Sequence, residues 1–361
     1  MIFSGKIDRT TAALFGVFLM LSAGYALHFM TFEEALEYVD WEVILLLFGM
    51  MTYVGQLART GFFKYLGVKA IKLSKGNLWL IFLYLTLITT FVSMVIDNVT
   101  TILLMIPLTV EVAELMEINP MPLILGEAIL SNVGGVATMI GDPPNILIAY
   151  ASGYSFNAFI VHLFPTIMIA LGGALFISRI IYGRWFKLTP KNIKELMKLE
   201  PENYIKDERI MKYLLIVLIF MIIFFGLQDY IGVSPALVAL VGGTLALVIT
   251  MEDPKKAFEA VEWPTLIFFI GLFMLVGGLD QTGLLKDLAE GLSSISPNPL
   301  IAAAIILWVA GITSAGVVSL SISRRFGYPI SDKEWFKFGI PVSLLTMSIS
   351  TGFLFILQYM S

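Results

Sequence analysis

Two aspartates stand where the chain is otherwise built from apolar side chains. Asp97 lies in Ser93-Met94-Val95-Ile96-Asp97-Asn98-Val99-Thr100-Thr101, and Asp142 in Ser131-Asn132-Val133-Gly134-Gly135-Val136-Ala137-Thr138-Met139-Ile140-Gly141-Asp142-Pro143-Pro144-Asn145. Carboxylate, amide and hydroxyl oxygens in this density are hard donors, suited to Na⁺ or to a transferable proton. Ionisable residues at membrane depth cost about 2.5 to 3.5 kcal/mol each on insertion scales, so their default reading is an ion or substrate path. The candidate substrate and ion ligands are Ser93, Asp97, Asn98, Thr100, Thr101, Asn132, Gly134, Gly135, Thr138, Gly141, Asp142 and Asn145, with Ser131 beside them. Asp97, Asn98, Thr138 and Asn145 are the Na⁺ candidates among these. A carboxylate that trades its proton for a cation couples solute movement to an ion gradient. No other cofactor is expected.

Each residue also has a plainer reading. Asp97 has the type and place of an N-cap for the apolar run Val99 to Met116. Asp142 precedes Pro143-Pro144, which cannot continue a helix, and so suits a turn. Gly134, Gly135 and Gly141 suit close helix packing, and Ser and Asn glue helices together. A cap or a turn needs no charge inside a bilayer, which favours function for both aspartates. For the glycines, exposure of backbone carbonyls is the favoured reading. Glu127 is a candidate second titrating group, whereas Glu111 and Glu114 belong near a helix end.

The rest of the 361-residue chain must hold these groups in lipid. Hydrophobic residues make up 58%, charged residues only 14%, and the mean hydropathy is +0.88, unlike any ordinary soluble domain. The net charge of -4 says little, because placement of Lys and Arg sets orientation. The absence of cysteine removes disulfides, thiolate metal sites and Cys nucleophiles. His28 and His162 fall at predicted helix ends with no ligand cluster around them. The first ten residues lack the pattern of a signal peptide.

Apolar runs predict spans at Thr11–Phe29, Trp41–Ala58, Phe164–Gly183, Tyr213–Tyr230, Pro235–Thr250, Trp263–Asp280, Pro299–Ser314 and Phe338–Tyr359. Thr31 to Asp40 reads as an acidic surface helix, and Met121 to Val133 leads into the glycine pair before Asn145 resumes a short helix. Asn77–Met94 and Val99–Met116 read either as two full spans or as a re-entrant hairpin; side-counting does not separate the two. Lys6 and Arg9, the Arg59–Lys75 linker and the basic stretch from Arg184 to Lys212 are expected on the cytoplasmic side.

Glu34-Ala35-Leu36-Glu37-Tyr38-Val39-Asp40-Trp41 resembles Lys256-Ala257-Phe258-Glu259-Ala260-Val261-Glu262-Trp263, at an offset of 222 residues from Trp41 to Trp263. Gly49 then falls on Gly271, Gly55 on Gly277 and Thr60-Gly61 on Thr282-Gly283. The two copies are expected to run in opposite directions, as in secondary transporters built from inverted repeats around a midplane site of broken helices. The fold class expected is an all-α polytopic membrane protein of two inverted repeats, each with a re-entrant hairpin and a broken helix. Residues 1–183 form the first repeat, 184–212 a basic loop and 213–361 the second. The second copy lacks its hairpin and half-helix, which favours a stretch omitted between Ala315 and Val317 over a natural deletion.

The pattern from Asp97 to Thr101 followed by Ser131 to Asn145 resembles the ArsB/NhaD permeases of the ion transporter superfamily. It is most similar to the branch that holds arsenite-permease-like proteins and the animal P (pink-eyed dilution) protein. Lys6 to Thr10 and Val317 to Trp335 also look like family segments, while a first helix that members carry before Lys6 is missing. The resemblance implies a scaffold with a mobile transport domain, and a hairpin tip at Asp97-Asn98 facing the break at Gly134–Asn145. In the related dicarboxylate symporters the matching tip and break cradle Na⁺. The function implied is secondary transport of arsenite, antimonite or another anion, coupled to H⁺ or Na⁺ and elevator-like; an Na⁺/H⁺ antiporter is the alternative.

A passive channel and an intramembrane aspartyl protease are further readings. The latter is disfavoured because Asp97 follows Ile96 rather than Tyr and Met139 stands two before Gly141. No nucleotide motif is present, so gradients drive transport and no enzymatic activity is expected, with an ATPase partner left open. Other expected partners are a small inorganic ion, the lipid bilayer and a second copy in a homodimer, with no nucleic acid. A prokaryotic inner membrane is the expected location.

Overall fold

The computed structural model describes residues 8–295, 298, 300–309, 311 and 332–360. These are helices joined by turns, with no strand among the described residues. Among the described residues, seven helices are long and apolar enough to cross a membrane: α1 (Arg9–Leu27), α3 (Trp41–Arg59), α6 (Asn98–Leu115), α9 (Phe156–Ile181), α11 (Glu208–Gly226), α15 (Trp263–Gln281) and the Trp335–Ile356 part of α18 (Asp332–Met360). Shorter apolar helices are α5 (Leu78–Ser93), α13 (Pro235–Thr250) and α17 (Leu300–Val309). Between them lie α2 (Phe32–Glu37), α4 (Phe62–Leu73), α7 (Met121–Gly135), α8 (Pro143–Ser152), α10 (Ile193–Lys198), α12 (Gln228–Ile231), α14 (Pro254–Phe258) and α16 (Leu284–Ile295).

Capping follows the sequence. Thr31 and Glu34 form a reciprocal capping box that starts α2, and Asp40 accepts from Glu42 N and Val43 N to start α3. Such side chains satisfy donors that a helix start leaves orphaned. Phe18, Ile180, Ile219 and Val309 are exposed apolar residues on helix faces, as lipid-facing helices require.

The basic stretch is folded rather than loose. Lys206 N donates to Thr60 O (2.9 Å), Lys72 Nζ to Leu199 O (3.2 Å), and Arg59 pairs with Glu252 (3.2 Å). These contacts define one end of the bundle, here the basic end. At the opposite end Tyr150 Oη donates to Glu42 (2.6 Å), Phe156 N donates to Gln228, and Gln281 donates to Tyr38 Oη (3.0 Å). Hence α3 and α13 run toward the basic end, while α1, α11 and α15 run away from it.

The glycines shared by the two similar segments pack alike. Gly49 of α3 abuts Ala239 of α13, and Gly271 of α15 abuts Val17 of α1; each residue of the second contact lies 222 positions from its counterpart in the first. Gly55 against Ala260 and Gly277 against Tyr38 correspond in the same way. A Cβ at Gly49 would come 2.5 Å from the Ala239 backbone, so α3 and α13 touch main chain to main chain, the close approach small residues permit in lipid.

Several boundaries differ from expectation. α9 starts at Phe156, because Ser155 caps it by accepting from Ala158 N. His162 therefore lies inside α9 rather than at an end, stacked on Tyr154 with its Nδ1 beside Ala158 O (2.6 Å). The run to Tyr230 ends at Gly226, followed by the short α12. From 310 to 331, a run that takes in the end of the expected Pro299–Ser314 span, the site of the omitted stretch between Ala315 and Val317 and most of the family-like segment after it, Gly311 alone is among the described residues.

Candidate functional site

The hairpin question is answered by where the tip between α5 and α6 ends once the far ends of both helices are placed. At the start of α5, Trp79 packs edge-on against Phe186 (5.0 Å) with the Arg179 guanidinium 4.5 Å above its ring. Beyond the end of α6, Met116 O accepts from Lys191 N (3.0 Å), Leu115 O from Asn192 (3.0 Å) and Asn119 O from Trp185 Nε1 (3.2 Å). Both legs therefore stand on one segment at the basic end. Their tip, Met94 to Asn98, meets the gap between α7 and α8 rather than the opposite end of the bundle. α7 rises from the basic end beside the hairpin, the chain unwinds from Val136 to Asp142, and α8 completes the crossing to Tyr150.

Glycines permit the approach. A Cβ on Gly134 would lie 2.2 Å from Thr90 O, and one on Gly141 2.5 Å from Gly135 O and 2.6 Å from Ser93 O. The expected carbonyl exposure gives way here to packing, and Gly135 O is itself occupied by Asn145 Nδ2 (2.8 Å). The second Asn145 amide hydrogen goes to Thr138 O (2.9 Å), and the Thr138 hydroxyl donates to Met94 O. Asn145 thus ties the two sides of the unwound segment together, and Thr138 ties it to the hairpin tip.

At the tip, Asp97 caps α6 by accepting from Thr100 N (2.9 Å). The capping role is real, and the Thr100 hydroxyl and the Val99 backbone N–H add to it. Asn98 is the bridge: its Nδ2 donates to Asn132 Oδ1 (2.6 Å) and to Asp142 Oδ2 (3.1 Å). Asp142 opens α8 without capping it, so its carboxylate faces the hairpin amide instead of its own helix. Ser93 donates to Ser131 O (2.8 Å), and buried Thr101 reaches Ile96 O at 3.5 Å. Thr100 contributes its amide to the Asp97 cap and keeps a half-buried side chain. Glu111 and Glu114 are exposed toward the basic end of α6, as expected.

Asp97 and Asp142, 45 positions apart, are therefore both half-buried where the hairpin tip meets the helix break. Their setting offers carboxylate, amide and backbone oxygens from three segments; the hydrogen bonds of these side chains come from backbone, amide and hydroxyl groups rather than from Lys or Arg. Among the described residues, no three acidic or imidazole groups converge as a metal cluster.

Beyond Ser93, sequence reasoning missed the hydroxyl file on α5. Thr86, Thr89, Thr90 and Ser93 are all fully buried, and Thr90 reaches Leu130 O at 3.3 Å. Their spacing of three and four residues in an otherwise apolar helix was the available signal.

A citrate transporter family model matches residues 1–322. The chain belongs to that family. It is 31% identical over 353 residues to an uncharacterized transporter of Mycobacterium tuberculosis, covering 94% of this chain and 82% of that protein. A 46 kDa membrane protein of Mycobacterium leprae is also 31% identical, over 99% of this chain and 95% of its own. The P protein of Mus musculus is 25% identical over 97% of this chain and 58% of its length. The alignment to the M. leprae protein runs over 410 positions, at least 49 more than the 361 residues of this chain (410 less 361). The chain is an integral membrane protein of a transporter family; the specific ArsB/NhaD placement is narrower than what this similarity establishes.

Proposed function

We propose that this family member is a secondary active transporter of a small oxyanion, coupled to H⁺ or Na⁺ through carboxylates at the hairpin tip and helix break. The single observation that carries the reading is the Asn98 bridge to Asn132 and Asp142, which gathers three segments at a point where the backbone is unwound. Irregular backbone at such depth is tolerated where it lines a cavity or is buried in protein. Ser93, Asp97, Asn98, Thr100, Thr101, Asn132, Asp142 and Asn145 are assigned to the site, with Gly134, Gly135, Thr138 and Gly141 shaping it.

The chemistry narrows the substrate. Two acids with no basic side chain bonded to them repel a bare anion, so the solute enters neutral or together with a cation. Arsenous acid satisfies the first condition and a cation-accompanied carboxylate such as citrate the second. An Na⁺/H⁺ antiporter is the second reading, favoured by the all-oxygen character of the same donors. The matching contacts at an offset of 222 residues, on helices of opposite direction, support an inverted repeat with an elevator-like transport domain. The surplus aligned positions in the M. leprae protein support an omitted stretch, which the repeat assigns to the second copy. A prokaryotic inner membrane, a homodimer and gradient-driven operation complete the proposal.

Counterflow into proteoliposomes with radiolabelled arsenite, citrate and Na⁺, each at two pH values, tests it. Exchange of one anion that accelerates with a pH or Na⁺ gradient is the expected result. Flux insensitive to both gradients would overturn the coupling and indicate a channel.

A further inference from the structure

One acidic group stands apart from the tip and break. Glu127 of α7 is 0% exposed, five residues before Asn132 and toward the basic end. No salt bridge reaches it among the described residues. Its partners are hydroxyls: Thr109 Oγ1 of α6 lies 2.9 Å from both carboxyl oxygens, and Thr89 Oγ1 of α5 lies 3.5 Å from Oε1. Thr89 already donates to Leu85 O at 2.8 Å, so its hydrogen is spent within its own helix.

A hydroxyl has one hydrogen to donate. An ionised carboxylate that accepts from Thr109 alone would have one good hydrogen bond and no countercharge in a dry site, a costly state. A neutral carboxylic acid fits the same geometry completely. One oxygen accepts from the Thr109 hydroxyl, and the other carries a proton and donates it back to Thr109 Oγ1. The equal 2.9 Å distances are those of such a reciprocal acid–hydroxyl pair.

Among the described residues, the surrounding helices bring no charge against it. α5 has no Asp, Glu, Lys, Arg or His, and its Tyr84 is half-buried. On α6, Glu111 and Glu114 are exposed at the basic end, while Asp97 caps the other end, twelve residues from Thr109. On α9, Arg179 is held over Trp79 and His162 lies beside Tyr154; on α18, Lys337 is exposed.

We infer that Glu127 is a proton-carrying site of this protein, paired with Thr109 and separate from the Asp97–Asp142 site. The proton sits on one carboxyl oxygen while the pocket is closed to water. It leaves when hydration reaches the pocket from the basic end, and an equivalent proton returns to the same oxygen in the next cycle. Thr89 and Ser93 continue a buried hydroxyl file from Glu127 toward Ser131 and the tip. The coupling role rests on the transporter reading above; the protonated state does not.

Glu127→Gln is the informative variant, since the amide can donate to Thr109 and accept from it without titrating. The first readout is infrared: wild-type protein in lipid vesicles should show a buried carboxylic-acid C=O band that Glu127→Gln lacks and Thr109→Val shifts. The second is transport of labelled arsenite and citrate in proteoliposomes. Glu127→Gln should retain counterflow and lose the acceleration by a pH gradient. An unchanged infrared spectrum, retained pH-gradient acceleration, or loss of counterflow in the folded variant would each overturn the inference. Absence of counterflow in the wild type, with the infrared band present and lost in Glu127→Gln, would overturn the transporter reading and leave the protonated pair standing.

Discussion

Replacing Gly134 with Ala tests the contact that seats the hairpin on α7. The added Cβ would sit 2.2 Å from Thr90 O, whereas carbon and oxygen pack at about 3.3 Å or more. Relief requires α5 and α7 to separate by about 1 Å at that level. The Ser93–Ser131 hydrogen bond, 2.8 Å long, would then stretch beyond bonding range and forfeit about 1 kcal/mol. Overpacking of this kind costs about 1–3 kcal/mol, against a helix-propensity gain of up to about 1 kcal/mol for Gly→Ala. The net expectation is destabilisation by roughly 1–3 kcal/mol. Gly172→Ala on α9 is the control, because a Cβ there meets nothing within 4 Å and receives only the propensity gain. Thermal unfolding of the purified variants in detergent reads the difference. Equal stability of Gly134→Ala and Gly172→Ala would refute the close packing of hairpin on α7, and with it the placement of the tip.

Other substitutions separate structure from coupling. Asn145→Ala removes both bonds that close the unwound segment and should cost about 1–3 kcal/mol, read by the same unfolding assay, with transport falling alongside. Asn98→Asp replaces the bridging donor with a third acceptor beside Asp142; the protein should still fold, while counterflow is lost. Arg59→Gln breaks an ion pair with Glu252 in which both side chains are about one-third exposed; unfolding should shift by no more than about 1 kcal/mol, and raising salt should shrink the difference.

The sequence made the membrane class legible because lipid demands long apolar runs, and it marked the site because Asp97 and Asp142 are expensive there. Gly49, Gly55, Gly271 and Gly277 carried the correspondence between distant segments, since close backbone approach leaves a fixed residue type behind. Parity hid the hairpin: two spans and one re-entrant loop return the chain to the same side. What separated them was the tip, which ends at the break between α7 and α8 with bonds to Asn132, Thr138 and Asp142. The pairing of Glu127 with Thr109 was also invisible in the sequence, because it depends on the depth at which α6 and α7 cross. The partners of the Asn145 amide hydrogens, Gly135 O and Thr138 O, were likewise hidden in the sequence, because they depend on how the break folds back.

The central claim is that carboxylates gathered by the hairpin tip and helix break couple solute movement to an ion gradient. Gradient-driven uptake of labelled arsenite and citrate into proteoliposomes, compared among wild type, Asp97→Asn and Asp142→Asn, tests it most directly. The account predicts that both variants remain folded and lose accumulation against a gradient. Accumulation indistinguishable from wild type in both would contradict it.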